Sequence, residues 1–211
     1  MFYQLSDTEI WFPQPDLAED DGLLAVGGDL SPARLMLAYH QGIFPWYSED
    51  SPILWYSPHD RFVLFPAKFK VSSSMRKVIN SGKFKVTFDH AFKDVIEACS
   101  SITRHGESGT WINPDMKKAY MKLNELGHAH SVEVWEKNNL VGGLYGIRVN
   151  NVFCGESMFS KVSNASKAAL NFLCSIPGLI MIDCQFHTKH LESLGAETIS
   201  RSEYSVFLNK K

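Results

Sequence analysis

The sequence lacks any apolar run that approaches the length of a membrane-spanning helix, about 20 residues. Its first residues, MFYQLSDTEIWFPQPD, contain neither the basic segment nor the apolar core of a secretory signal. Cysteine is scarce, and Cys99, Cys154, Cys174 and Cys184 form no CxxC pair. We therefore expect a cytoplasmic protein with reduced thiols and no membrane association.

Motifs that bind nucleotides or metals are also missing. No P-loop and no GxGxxG fingerprint occurs, and no GxSxG elbow presents a nucleophilic serine. Cys184, His187 and His190 have a C-x2-H-x2-H spacing, but no fourth ligand lies nearby, so we reject a zinc site. We expect neither a metal nor a cofactor. Composition alone leaves a Ser-His-Asp or Cys-His nucleophile open.

Charge is distributed unevenly although the formal net charge is only −2. Residues 1–33 contain seven acidic residues and no Lys or Arg, whereas residues 61–88 contain seven basic residues, Arg61 among them, and no acid. Such segregation indicates either a face that binds a polyanion or an ordinary solvated surface, with acidic and basic segments packed on one another. Both interpretations stay open at this point.

Hydrophobic residues make up 45% of the chain and aromatic residues 12%, which is typical of a globular protein with a core. Helix signals are clear in GGDLSPARLMLAYHQG, where Ser31 is the expected N-cap, Pro32 the first helical residue and Gly42 the stop. The predicted helices are 32–41, 74–82, 91–101, 113–127, 164–176 and a short one near 188–194. The predicted strands are 83–89, 129–136, 140–149, 151–160, 179–186 and a last one near 203–208.

The order of these elements determines the fold class. The pairs Asn138-Asn139 and Asn150-Asn151 make three strands into successive hairpins, because Asn tolerates the positive φ of tight turns. Helices, an antiparallel meander, and then a helix, strand, helix and strand indicate an α+β or mixed α/β fold. The meander–helix–strand order fits an acyltransferase of the GNAT type, with a largely antiparallel sheet.

Three polar residues stand out in apolar strands. In IMIDCQF, alternation places Asp183 and Gln185 on the face opposite Ile182, where a buried carboxylate must be paired or used. In CGESMF, alternation places Glu156 on one face with Cys154 and Met158. That glutamate either meets solvent at a sheet edge or recognises a cation in an apolar recess.

Tryptophans in or next to loops are the remaining candidates. Trp55 has the sequence environment of a core residue, whereas Trp46 follows a proline within a turn, where it could pack or stack on a nucleobase. Trp111 lies in GTWI, in a loop before a predicted helix.

Several stretches in combination resemble the leucyl/phenylalanyl-tRNA–protein transferase family. They run from about residue 22 to 196 and are GLLAVGGDLSPARLMLAYHQGIFPWY, PILWYSP, GTWI, LGHAHSVEVW, LVGGLYG, FCGESMFS, NASKAAL, IDCQ and HLESLGA. The resemblance implies a small N-terminal domain, residues 1–62, joined to a GNAT-like catalytic domain, residues 63–211. It implies a monomer that transfers Leu, Phe or less often Met from aminoacyl-tRNA to the N-terminal Arg or Lys of a protein, which marks that protein for N-degron degradation.

The resemblance also implies roles for individual residues. It makes Asp183 and Gln185 catalytic, and makes Glu156 the acidic residue that faces the acceptor's basic N-terminal side chain. The implied apolar pocket for the transferred side chain consists of Phe153, Met158 and Leu173, the last at a position where an aromatic is expected. The implied aromatics that bind the tRNA 3′ end or support the site are Trp46, Trp111, Tyr39 and Tyr120. The basic residues that we expect on the tRNA backbone are Arg76, Lys77, Lys83 and Lys85.

The chemistry agrees with the missing motifs, because an aminoacyl ester is already activated and needs no nucleotide. The attacking α-amino group must first lose a proton. We hypothesise that Asp183 deprotonates or orients this amine, and that Gln185 holds the amine or the ester carbonyl. The tRNA ribose hydroxyl could share the proton transfer.

Two other functions compete with this one. An acetyl-CoA-dependent N-acetyltransferase would need a glycine-rich turn before the helix that follows the meander, and SKVSNASK contains no glycine. A non-catalytic RNA-binding module would explain the basic stretch and the aromatics, but would leave Glu156, Asp183 and Gln185 without a role.

Overall fold

The computed structural model describes residues 2–102 and 112–210. The helices are α1 (Pro32–His40), α2 (Ser73–Asn80), α3 (Phe92–Ser100), α4 (Pro114–Glu125), α5 (Ala165–Cys174), α6 (Lys189–Ser193) and α7 (Arg201–Leu208). The strands are β1 (Tyr3–Leu5), β2 (Leu23–Gly27), β3 (Phe44–Pro45), β4 (Leu54–Tyr56), β5 (Asp60–Leu64), β6 (Lys85–Phe88), β7 (Ala129–Glu136), β8 (Asn139–Val149), β9 (Val152–Ser160), β10 (Met181–Gln185) and β11 (Glu197–Ser200). In the described part of the chain, none of the helices has the length and apolarity to cross a bilayer.

A seven-stranded sheet with the order β11-β5-β10-β9-β8-β7-β6 forms the centre of the molecule. Strand β10 runs parallel to β9, which it reaches through the crossover helix α5, and the other neighbours pair antiparallel. The α+β class with a largely antiparallel sheet is confirmed, as is the predicted meander–helix–strand order. A smaller sheet, β1-β2-β4-β3, lies within residues 3–56.

The two faces of the large sheet carry different helices. One face contributes Tyr145, Cys154 and Met181 to a core that also contains residues of α1, α3, α4 and α7. The opposite face contributes Phe153 and Ile182 to a second core with residues of α2, α5 and α6. Residues of the central strands β9 and β10 therefore project toward different helices according to their face.

The predicted helix starts are confirmed at atomic detail. Ser31 Oγ accepts a hydrogen bond from Arg34 N, and Asn113 Oδ1 accepts one from Met116 N at 2.9 Å. These caps satisfy backbone donors that the first turn of a helix leaves without intrahelical partners.

The predicted hairpins are present, with one difference in the first turn. Asn150 has a φ of +52° between β8 and β9, as expected for Asn in a tight turn. Between β7 and β8 the positive φ, +56°, belongs to Lys137 and not to the neighbouring Asn138.

The predicted last strand near 203–208 is wrong, because that segment is helix α7. Ser200 Oγ accepts from Glu203 N, and Glu203 Oε2 accepts from Ser200 N, which is a capping box. Tyr204 and Leu208, four residues apart, are both buried on the helix face that packs on the core. The strand lies just before it, as β11, and pairs with β5.

Two glycines of VGGLYG allow helix α5 and strand β9 to lie close to β8. A Cβ on Gly142 would lie 2.5 Å from the Ala165 Cβ of helix α5. A Cβ on Gly146 would lie 2.2 Å from the Cys154 carbonyl oxygen, at the place where the pairing of β8 with β9 shifts register. Any larger side chain would push α5 or β9 away from the sheet.

Candidate active site

A cavity of about 1070 Å³ opens where β9 and β10 meet the loops of the smaller sheet. Seven of the residues expected at the site line it, namely Trp46, Phe153, Glu156, Met158, Leu173, Asp183 and Gln185. The structure thus brings together side chains that are up to 139 positions apart in the sequence, from 46 to 185.

A bulge in β9 sets the direction of Glu156. Gly155 pairs with Gly146 and Ser157 pairs with Tyr145, so Glu156 is an extra residue with no partner across the ladder. The bulge reverses the alternation beyond it, because it inserts one residue. Cys154 therefore packs in one core and Met158 against the other, and the expected common face of Cys154, Glu156 and Met158 is wrong for Met158.

A second bulge, in β10, sets the direction of Gln185. Asp183 pairs with Val63 and Gln185 with Phe62, which leaves Cys184 as the extra residue. Gln185 has a φ of +61°, a left-handed conformation that is costly for a residue other than glycine. Its amide N–H donates to Asp183 Oδ1 at 2.9 Å, which stabilises this turn of the backbone.

Asp183 is paired within the protein. Arg61 donates to its carboxylate from Nε at 3.0 Å and from Nη2 at 2.7 Å, and Tyr204 donates its hydroxyl to Oδ2 at 2.8 Å. The carboxylate has no solvent exposure. With the Gln185 amide added, both oxygens accept hydrogen bonds, so Asp183 is an anchor for the surrounding backbone and side chains.

Arg61 connects this carboxylate to two other parts of the chain. Its Nη1 donates to the Gly42 carbonyl at 2.9 Å, and its guanidinium lies over the rings of Phe44 and Tyr204. Burial alone would lower the pKa of Arg61, but the charge of Asp183, its hydrogen bonds and the nearby Tyr204 and Cys154 together outweigh burial, and the pKa is raised. Arg61 is therefore the buried partner of Asp183 and not part of a basic surface. The sequence signal that could have shown this is a lone Arg in the apolar run RFVLF.

Glu156 is held by neutral donors. Tyr39 donates to Oε1 at 2.7 Å, Tyr120 donates to Oε2 at 2.9 Å, and Gln185 Nε2 donates to Oε1 at 3.2 Å. The two tyrosine hydroxyls also contact each other. Burial raises the pKa of Glu156 to about 7, against the hydrogen bonds from Tyr39 and Tyr120, which lower it.

Tyr39 and Tyr120 are fully buried behind Glu156 and do not line the cavity. Of the two roles that the resemblance allows, this position favours support of the site over direct contact with tRNA. Their place on α1 and α4 ties Glu156 to both helices.

Exposed aromatic rings form a ledge at the cavity mouth. Trp46 and Phe186 are 43% and 41% exposed, and their ring centroids lie 5.2 Å apart. Phe44 and Tyr56 support them from beneath. Sequence reasoning missed Phe186, although an aromatic directly after two polar site residues was visible. Trp111 lies outside the described residues.

The inner part of the cavity is apolar. Its aliphatic and aromatic lining consists of Leu144, Phe153, Met158, Leu170, Leu173, Ile182 and Leu191. Burial raises the pKa of the Cys184 thiol, which also lines the cavity, so the thiol is a poor nucleophile at neutral pH. Burial and Lys167 lower the pKa of His190. This region is suited to hold an apolar side chain.

The four basic residues expected on the tRNA backbone are exposed and lie outside the cavity. Arg76 and Lys77 line a surface groove on α2 with Ser73, Asn80 and Ser81. Lys83 Nζ lies 3.8 Å from Glu136 Oε1, and water screens the attraction between these two surface charges. Within residues 2–102 and 112–210, no group of three or more His, Cys, Asp or Glu could hold a metal ion.

Known proteins similar to this chain identify its family. The family model described as leucyl/phenylalanyl-tRNA protein transferase matches residues 63–209, and the model of its N-terminal domain matches residues 28–59. Curated relatives named leucyl/phenylalanyl-tRNA–protein transferase include that of Christiangramia forsetii, 55% identical over 93% of this chain and 95% of the relative. Another, from Flavobacterium johnsoniae, is 50% identical over the full length of both chains.

Some solved structures are remotely similar to this chain. A GCN5-related N-acetyltransferase from Kribbella flavida is 9% identical, covers 82% of this chain and 62% of its own, and has a TM-score of 0.41. On the family models and the curated relatives, the chain belongs to the leucyl/phenylalanyl-tRNA–protein transferase family.

Proposed function

We propose that this chain transfers leucine, phenylalanine and, less readily, methionine from aminoacyl-tRNA to proteins that begin with Arg or Lys, and that the new N-terminal residue marks them for degradation. Membership of the family supports aminoacyl transfer from tRNA to proteins. The basic acceptor, the use of methionine, the degradation signal, the monomeric state and the division at residues 1–62 and 63–211 are proposals.

The observation that carries the basic acceptor is the unequal pairing of two carboxylates in one cavity. Asp183 has Arg61 as its counter-ion, whereas Glu156 is held by neutral donors among the described residues. A buried carboxylate without a counter-cation attracts a ligand that brings one. An N-terminal Arg or Lys supplies positive charge on both its amino group and its side chain.

The polar edge of the cavity orients the reacting groups. The Gln185 carboxamide donates from Nε2 to Glu156, so its carbonyl oxygen can accept from the attacking amine. Asp183 acts as a positioning residue, because its oxygens already accept from Arg61, Tyr204 and the Gln185 amide. Holding two substrates in this geometry contributes much of the acceleration.

The apolar interior holds the transferred side chain, and the aromatic ledge holds the end of the tRNA. Phe153, Met158 and Leu173 are proposed to contact the Leu, Phe or Met side chain. Trp46 and Phe186 are exposed at the mouth, and exposed aromatic rings of this kind support stacking on an unpaired base. Trp111 remains a predicted member of this ledge.

A transfer assay without ATP tests the proposal. Leucyl-, phenylalanyl- or methionyl-tRNA is mixed with peptides that differ only in a first residue of Arg, Lys or Ala. We expect transfer to the Arg and Lys peptides, with graded donor rates, because an apolar pocket distinguishes one methylene by only about 1–3 kcal/mol. Equally fast transfer to the Ala peptide would contradict the basic acceptor, and transfer from acetyl-CoA would favour the N-acetyltransferase alternative.

Neutralising Arg76, Lys77, Lys83 and Lys85 together is expected to flatten the salt dependence of tRNA binding. Each phosphate contact contributes about 0.7–0.9 to the slope of log K against log salt, so four contacts would reduce it by about 3. Binding of labelled tRNA at several salt concentrations measures the slope. The control removes the same charge from exposed lysines elsewhere, Lys93, Lys122, Lys137 and Lys210. An unchanged slope in the first variant would assign its charges to solvation alone.

A further inference from the structure

Glu156, Tyr39 and Tyr120 form a closed ring of three oxygen–oxygen contacts. Tyr39 hydroxyl contacts Glu156 Oε1, Tyr120 hydroxyl contacts Oε2, and the two hydroxyls contact each other. We call these three residues the carboxyl–tyrosine ring. Each hydrogen bond needs one proton, so a ring of three contacts needs three.

The number of protons in the ring depends on the charge of Glu156. When the carboxyl is ionised, the two hydroxyls supply two protons, and one of the three contacts brings together oxygens with no proton between them. When the carboxyl is neutral, Oε2 donates to Tyr120, Tyr120 donates to Tyr39, and Tyr39 donates to Oε1. Gln185 Nε2 donates to the same Oε1, so every group in the ring is then satisfied. One added proton completes the ring.

We propose that the carboxyl–tyrosine ring is the proton acceptor of the transfer reaction, with Glu156 taking the proton that the acceptor's α-ammonium group must lose. This inference rests on the proposed function. Tyr39 and Tyr120 are positioning residues, since they act through Glu156, and proton uptake turns the Tyr120 hydroxyl from donor toward Glu156 to donor toward Tyr39.

The step balances in atoms and charge. The α-ammonium gives one proton to Glu156, and the freed nitrogen lone pair attacks the carbonyl carbon of the aminoacyl ester. The nitrogen–carbon bond forms, and the bond from that carbon to the tRNA ribose oxygen breaks. A second proton moves from the nitrogen to the leaving ribose oxygen. The proton on Glu156 is the net proton of the reaction, and it passes to water after the product leaves.

The groups around Glu156 suit this role. Burial raises the pKa of Glu156 to about 7, the tyrosine hydrogen bonds lower it, Asp183 raises it and Arg61 lowers it. Cys154 on β9 and Tyr145 on β8 also face the ring, and burial raises the pKa of the Cys154 thiol. An α-amino group has a pKa of about 7.7–8.0, so proton transfer to Glu156 is close to balanced, which favours efficient catalysis.

Other candidate acceptors in the cavity are weaker. Asp183 is fully buried and accepts from Arg61, Tyr204 and the Gln185 amide. Burial and the charge of Lys167 lower the pKa of His190, which weakens it as a base.

Infrared difference spectroscopy of the whole 211-residue chain without substrates tests the ring directly. The stretch of a protonated carboxyl is expected to disappear with a midpoint near pH 7 in the wild type, and this titration is expected to be absent in Glu156→Gln. Tyr39→Phe or Tyr120→Phe should raise the midpoint by about one pH unit, because each removes a hydrogen bond that favours the ionised carboxylate. Tyr47→Phe, at the cavity rim and outside the ring, is the matched control and should leave the midpoint unchanged.

The pH dependence of kcat/KM with an Arg-initiated peptide gives the second readout. In Tyr39→Phe the acidic limb should move to higher pH together with the infrared midpoint, and Glu156→Gln should lower kcat/KM by about 10²–10⁴-fold. A carboxyl midpoint near the ordinary value for Glu would overturn the proposal. The proposal would also be overturned if the acidic limb of the kcat/KM profile moved with the pKa of the acceptor's amine and stayed unchanged in Tyr39→Phe. Absence of any transfer with an intact infrared titration would instead contradict the proposed function.

Discussion

Asp183→Ala is expected to reduce the free energy of unfolding by about 3–5 kcal/mol. The reason is the guanidinium that the substitution leaves behind. Arg61 is only 2% exposed, and Asp183 is its sole carboxylate partner among the described residues. A buried charge without a partner costs far more than the pair contributes when intact. Asp183→Ala should therefore lower transfer activity partly because less protein is folded.

Urea denaturation of the single and double variants measures this effect. Removing both charges, as in Arg61→Leu with Asp183→Leu, should cost less than Asp183→Ala alone, because no unpaired charge remains. A loss below about 1 kcal/mol for Asp183→Ala would show that the pair behaves like a solvent-exposed ion pair, and would contradict its burial.

Gln185→Ala is expected to lower the rate of transfer by about 10²–10⁴-fold, the usual effect of losing a group that orients or exchanges protons in a transition state. The fold should persist, since toward the described residues the Gln185 side chain donates a single hydrogen bond, to Glu156. Single-turnover transfer to an Arg-initiated peptide measures the rate.

Gln185→Gly is the matched variant that separates the carboxamide from the backbone. The φ of +61° at this position is costly for alanine and free for glycine. The free energy of unfolding should thus be about 1–2 kcal/mol higher for Gln185→Gly than for Gln185→Ala. Both variants should lose transfer to the same extent. Restored transfer in the glycine variant would assign the role to the backbone turn and not to the side chain.

Local features were predictable where a few neighbouring residues determine the structure. The caps at Ser31 and Asn113 depend on side chains that accept from backbone amides three residues on, and the turn at Asn150 depends on the tolerance of Asn for a positive φ. The same logic would have identified α7 from Ser200 and Glu203, where a strand was predicted instead.

Features that depend on a distant strand were not predictable. The two bulges arise from the pairing of β9 with β8 and of β10 with β5. The alternation of polar and apolar residues within one strand does not show how that strand pairs with its neighbours. Glu156 and Asp183 were found from their polarity within apolar strands. The pairing of Asp183 with Arg61 and of Glu156 with Tyr39 was not, because Arg61 precedes Asp183 by 122 positions and Tyr39 precedes Glu156 by 117.

The partners of Asp183 also determine when a newly made chain becomes competent. Arg61 is synthesised early, whereas Tyr204 of α7 is added 21 residues after Asp183. A ribosome-bound chain that ends before Tyr204 lacks the hydroxyl bonded to Asp183 Oδ2. Its Arg61 guanidinium also lacks the Tyr204 ring, one of the two aromatic rings that it lies over. A chain still under synthesis therefore has an unfinished candidate active site until Tyr204 has been added and has packed against Asp183.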